Sequence, residues 1–169
     1  MKILGERAQS QGKIYLTGGA SAVLMGWRDS TLDVDLKLDP EPSGVFDAIR
    51  QAKEDIGINI ELASPDDFIP PLPGWKDRCL SIAREGPVEF LHYDFYAQAL
   101  SKIERQHAQD VSDVRSMFSS NLITIEGLRQ YFDAIRLHLD RYPALDADAF
   151  SGKLQAVIRQ LEEPKNGTA

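Results

Sequence analysis

The chain of 169 residues has the usual size of one domain, enough for a single core. Its 43% hydrophobic and 27% charged residues exclude a disordered or collagen-like chain. With 19 basic and 26 acidic residues the net charge is −7, the wrong sign for an unspecific nucleic-acid binder, although a local basic patch stays open.

The longest apolar stretches, such as residues 20–26, fall far short of the roughly 20 residues that cross a bilayer. Residues 1–11 lack the apolar centre of a signal peptide, so a cytoplasmic protein without membrane association is expected. Cys79 is the single cysteine, which excludes an internal disulfide and a cysteine-based zinc cluster. Any bound metal should then be a hard ion such as magnesium, held by carboxylates.

Residues 13–17 are a short β-prone run that ends in Gly18-Gly19, and residues 20–27 read as a short helix. Leu32, Val34, Leu36 and Leu38 alternate with Asp33, Asp35 and Lys37, the period of a strand with one apolar face. Val45, Ile49, Ala52 and Ile56 follow helical spacing, with Ser43 as the expected N-cap and Gly57 as the stop. Ile58, Ile60 and Leu62 then predict a strand with Asn59 and Glu61 on its polar face. Pro65, Pro70, Pro71, Pro73 and Gly74 predict a rigid loop, because proline lacks the amide donor of helices and central strands.

Residues 81–84 and 88–93 read as a hairpin turning at Glu85-Gly86-Pro87. From Asp94 the chain becomes helical, with Leu100, Ile103, His107, Val111, Val114 and Phe118 on one stripe and a break near His107. His107 is expected to be a hydrogen-bonded core residue. Thr124 and Asp146 are expected N-caps of two last helices. The pattern predicts an α/β (α+β) fold: a small mixed sheet with helices over residues 1–118, a helical extension packed on it over 119–163, and a loose tail over 164–169.

Asp33 and Asp35 stand two apart on a strand, roughly 6.6 Å between Cα atoms, so both leave one face and can share a metal. A solvated strand face is the plain alternative, but the apolar flanks favour a cleft. Gly18-Gly19 before a helix suits an anion, and Ser21 in its first turn either adds a hydroxyl donor or simply starts the helix. Arg28 either holds a phosphate or pairs with Asp29 or Asp33. Lys102 lies on a stripe with Gln106, Asp110 and Asp113 if the helix is continuous; the two aspartates are expected to orient Lys102 or Arg115 rather than bind metal.

The segment YLTGGASAVLMGWRDSTLDVDL resembles nucleotidyltransferase-like proteins of the DNA polymerase beta superfamily. It is similar there to toxin components of type IV toxin–antitoxin systems, the abortive-infection type. A second segment, YAQALSKIERQHAQDVSDV, is similar to the lysine helix and Asp-x-x-Asp element that follow in those proteins. The resemblance implies a nucleotidyltransferase fold and transfer of a nucleoside monophosphate from a nucleoside triphosphate to an acceptor hydroxyl on RNA or protein, with two magnesium ions. It assigns metal to Asp33 and Asp35, the triphosphate to Gly18 and Gly19, and the nucleotide phosphates to Lys102. A third carboxylate takes the acceptor proton in such chemistry, and Glu61 is the candidate. A cognate antitoxin is the implied protein partner. The family commonly has serine at the second turn position and aspartate as third carboxylate, where this chain has Gly19 and Glu61. A module that binds nucleotide or a partner without turnover is therefore the alternative.

Overall fold

The computed structural model describes residues 1–163; the expected loose tail at 164–169 lies outside the described residues. By contacts the chain forms two compact units, one of residues 1–67 with 74–94 and one of residues 68–73 with the chain from Phe95 onward. The sequence suggested a boundary after residue 118, whereas the contacts divide the chain after Asp94.

The first unit is built on a five-stranded mixed sheet, the α/β architecture expected of a nucleotidyltransferase-like fold. Strands β1 (Gly12–Thr17), β2 (Asp33–Leu38), β3 (Asn59–Leu62), β4 (Leu80–Glu85) and β5 (Val88–His92) lie in the order β3-β2-β1-β5-β4. β1 pairs antiparallel with β2 and parallel with β5, β2 pairs parallel with β3, and β4 closes the other edge antiparallel to β5. α1 (Lys2–Arg7) and α3 (Val45–Ile56) pack on one another, and Leu4, Ile14, Leu16, Leu36, Val45, Ala48, Ile49, Ile60 and Phe90 bury one face of the sheet as a core. Each large apolar side chain fully buried there stabilises by about 1.5–3 kcal/mol.

In α3 the buried positions Val45, Ala48, Ile49 and Ala52 recur at three and four, the stripe that drives this helix onto the sheet. Its N-cap is Gly44 rather than the expected Ser43, and Gly57 caps its C-terminus as expected. The strand alternation holds from Val34 onward, but Leu32 precedes β2 and is 89% exposed, because the chain before Asp33 is still loop.

In the second unit α4 (Phe95–Arg105) packs against α5 (Asp110–Ser119), α6 (Ile125–Arg136) and α7 (Ala147–Glu162). Thr124 and Asp146 cap α6 and α7 through their side chains, accepting from the amides of Gly127 and Ala149. The expected break falls between α4 and α5, where Gln106 adopts φ +54°. That turn carries His107 into solvent, so the expectation of a core histidine fails: the apolar stripe resumes only at Val114 and Met117. The proline-rich segment 68–73 belongs to this unit, with Ile69 and Leu72 fully buried. Among the described residues no helix is long and apolar enough to cross a membrane.

Candidate active site

Alternation along the strands places Tyr15, Thr17, Asp33, Asp35, Lys37, Asn59 and Glu61 on the face opposite the apolar core. The register sets Thr17 beside Asp35 on one side and Glu61 beside Asp35 on the other, with Asn59 beside Asp33. Asp33, Asp35 and Glu61 thus share one sheet face: the spacing predicts this for the two aspartates, and the β2–β3 register adds Glu61. At the inner part of this face Tyr15 meets Trp75 edge-on at 5.1 Å, and Trp75 stacks on Tyr93 at 4.4 Å. Burial pushes the Tyr15 hydroxyl up to about 12, with the nearby acidic groups of Cys79, Asp39 and Glu89 adding to it.

The acids are bound into a local network. Asn59 Nδ2 donates to Asp33 Oδ1 at 2.7 Å and to Glu61 Oε1 at 2.8 Å. Lys37, two residues beyond Asp35 on the same face, donates to Asp66 at 2.8 Å. Burial works to raise the Asp66 carboxyl, yet the bonds from Lys37 and Ser64 outweigh it and hold it below its ordinary value.

α2 (Gly18–Leu24) begins directly at the end of β1. Gly18 has φ +57°, and a Cβ there would stand 2.6 Å from Asp35 Oδ2, so the turn needs glycine for conformation and for the carboxylate's close approach. At Gly19 a Cβ would fall on the Thr31 hydroxyl, with Arg28 Nη1 at 3.6 Å. The connection from α2 to β2 therefore folds back onto the turn, and serine at position 19 would displace Thr31. Thr31 in turn donates to the backbone carbonyl of Asp33 at 2.9 Å, so the turn and the first acid of β2 are linked through one side chain.

Ser21 is 1% exposed, and its hydroxyl lies 2.6 Å from Nδ1 of His92 at the end of β5. Burial holds the His92 imidazole below its ordinary value, which favours its neutral form. Ser21 therefore ties α2 to β5. Neither the resemblance nor any local pattern pointed to His92, because 71 residues separate it from Ser21.

Lys102 belongs to the helical unit and is 4% exposed. Its ammonium donates to Asp110 Oδ1 at 3.2 Å and Asp113 Oδ2 at 2.6 Å. The aspartates orient Lys102, as expected, although the helix is broken between them. Asp110 also accepts two bonds from Arg105 and one from the His107 amide. Burial favours its neutral form, but the Arg105 bonds and the Lys102 charge prevail and hold the carboxyl below its ordinary range.

Among the described residues no three His, Cys, Asp or Glu side chains are gathered into a ready-made metal cage. The donor chemistry of the sheet face nevertheless fits a hard divalent cation: three carboxylates share the face, and two of them already converge on a single donor nitrogen.

A family model matches residues 1–162; the family is described as a nucleotidyltransferase of unknown function (DUF6036). No curated protein and no solved structure matches the chain.

Proposed function

We propose, since the chain belongs to this family of nucleotidyltransferases, that it moves a nucleoside monophosphate from a nucleoside triphosphate to an acceptor hydroxyl. The observation that carries this reading is the meeting of Asp33, Asp35 and Glu61 on one sheet face, with Asp35 against the Gly18 turn. Asp33 and Asp35 would hold magnesium, which when bound neutralises charge developing on the leaving group.

The acceptor oxygen bonds to the α-phosphorus, the bond from that phosphorus to the bridging oxygen breaks, and pyrophosphate leaves. Glu61 receives the acceptor proton, and its bond from Asn59 fixes one carboxylate oxygen while the other faces no competing donor of that amide. The resemblance assigns the triphosphate to the Gly18-Gly19 turn, and Arg28 beside Gly19 supplies positive charge there.

The net charge of −7 favours a protein hydroxyl over RNA as acceptor. The two segments similar to type IV toxins support a place in a toxin–antitoxin pair with a cognate antitoxin as partner.

The test is mass spectrometry of cellular RNA and protein after incubation with the chain, magnesium and each nucleoside triphosphate in turn. An added nucleotide mass that disappears with Asp33→Ala, and that forms about 10² to 10⁴ times more slowly with Glu61→Gln, is expected. Nucleotide binding without any added mass would reduce the chain to a binding module.

A further inference from the structure

Between the two acidic strands stands a side chain to which the resemblance gives no role. Asn59 pairs with Asp33 in the β2–β3 register, and its single amide nitrogen serves both Asp33 and Glu61. The two N–H donors of a primary amide point apart, so one asparagine can hold two carboxylates at once. Repulsion between those carboxylates is offset without adding charge. A lysine in the same place would also hold them, but its charge would compete with any arriving cation.

Asn59 is exposed at the sheet edge and lies outside the apolar core, so packing does not explain it. We propose that Asn59 is a positioning residue, orienting Asp33 towards a divalent cation and Glu61 towards the acceptor proton; this rests on the transferase reading. Each carboxylate keeps a second oxygen for that work. Hydrogen-bond partners of metal-binding carboxylates typically change metal affinity or activity by about 10- to 100-fold when removed.

Asn59→Leu keeps the shape and removes the amide, and Asn59→Ala does the same should the leucine variant fold poorly. With Mn2+ alone as probe, followed by electron paramagnetic resonance, binding is expected to weaken about 10- to 100-fold while the metal-free protein stays folded, its melting temperature falling only slightly because the lost bonds are exposed to solvent. In the transfer assay the magnesium requirement should rise and kcat fall, with KM for the nucleotide unchanged at saturating magnesium. Asn59→Gln, which retains a side-chain amide, should recover part of both losses. Wild-type Mn2+ affinity and wild-type kcat in the amide-free variants overturn the role of Asn59 and leave the transferase reading standing. A wild-type chain that neither binds Mn2+ nor transfers nucleotide overturns both.

Discussion

In the helical unit Asp110 and Asp113 are buried and meet Lys102 and Arg105, whereas in the sheet unit Asp33 and Glu61 lie exposed and share one uncharged amide. In the first cluster two cations answer two anions, and removal from water is offset by short, directed bonds. On the sheet face Lys37 is engaged with Asp66, and the bonds between Asp33, Asn59 and Glu61 run through a neutral amide. Acids matched by buried cations supply stability. Acids grouped on an open face lower it until a positive ligand arrives.

The sharpest way to break this contrast is to remove the buried cation. Lys102→Met leaves Asp110 and Asp113 buried without their shared ammonium, and breaking such a pair typically costs about 3–5 kcal/mol. Thermal or urea unfolding should show that loss without nucleotide or metal present. A melting temperature unchanged by Lys102→Met would make this cluster no more structural than the sheet face.

A smaller effect of opposite sign is expected from Asp33→Asn, which keeps an acceptor for Asn59 and removes one of three like charges. The melting temperature of the metal-free protein should rise by about 1 to 3 °C, since solvent screens charges on an open face. Magnesium with nucleotide should stabilise the wild type and not the variant. A fall in melting temperature, with neither protein responding to ligand, would make Asp33 a structural partner.

The smallest effect concerns pH and separates the units in time of exchange. Burial keeps the folded His92 value below its ordinary 6.5, so the unfolded chain binds that proton first. The stability it contributes is full above 6.5 and falls as pH drops towards the folded value. Asp110 is lowered from 3.8, so its contribution persists through that window and is lost only in stronger acid. Protection of the amides in β1 and β5, measured against their intrinsic exchange rates, should therefore fall as pH drops below 6.5 while that of α4 and α5 is kept. Equal loss of protection in both units would remove His92 from the account.

The sequence made the site's frame legible where chemistry is local. Alternation through Val34, Leu36 and Leu38 placed Asp33 and Asp35 on one face, and side-chain caps at Thr124 and Asp146 marked two helix starts. What stayed hidden depends on contacts between distant residues. The six-residue α1 has no side-chain cap and forms against α3 and β4. The prolines of 68–73 announced a loop but not that Ile69 and Leu72 would be fully buried. The burial of Lys102 followed from a chain reversal at Gln106 that a continuous periodicity conceals, and Ser21 found His92 only through the pairing of β1 with β5.

That last pairing also dictates an order of assembly. β1 is the middle strand, yet its two neighbours are made at different times: β2 follows it within 16 residues, while β5 begins only at Val88. During synthesis β1 leaves the ribosome with β2 available and its other edge unpaired until nearly half the chain has followed, an exposed template for wrong partners. The bond from the Tyr93 amide to the Leu16 carbonyl, like that between Ser21 and His92, closes a loop of more than 70 residues. The Lys102 clasp closes only eight to eleven and can form as soon as α5 is complete. The helical unit, last to be synthesised, is thus the one with the quicker route to its native contacts.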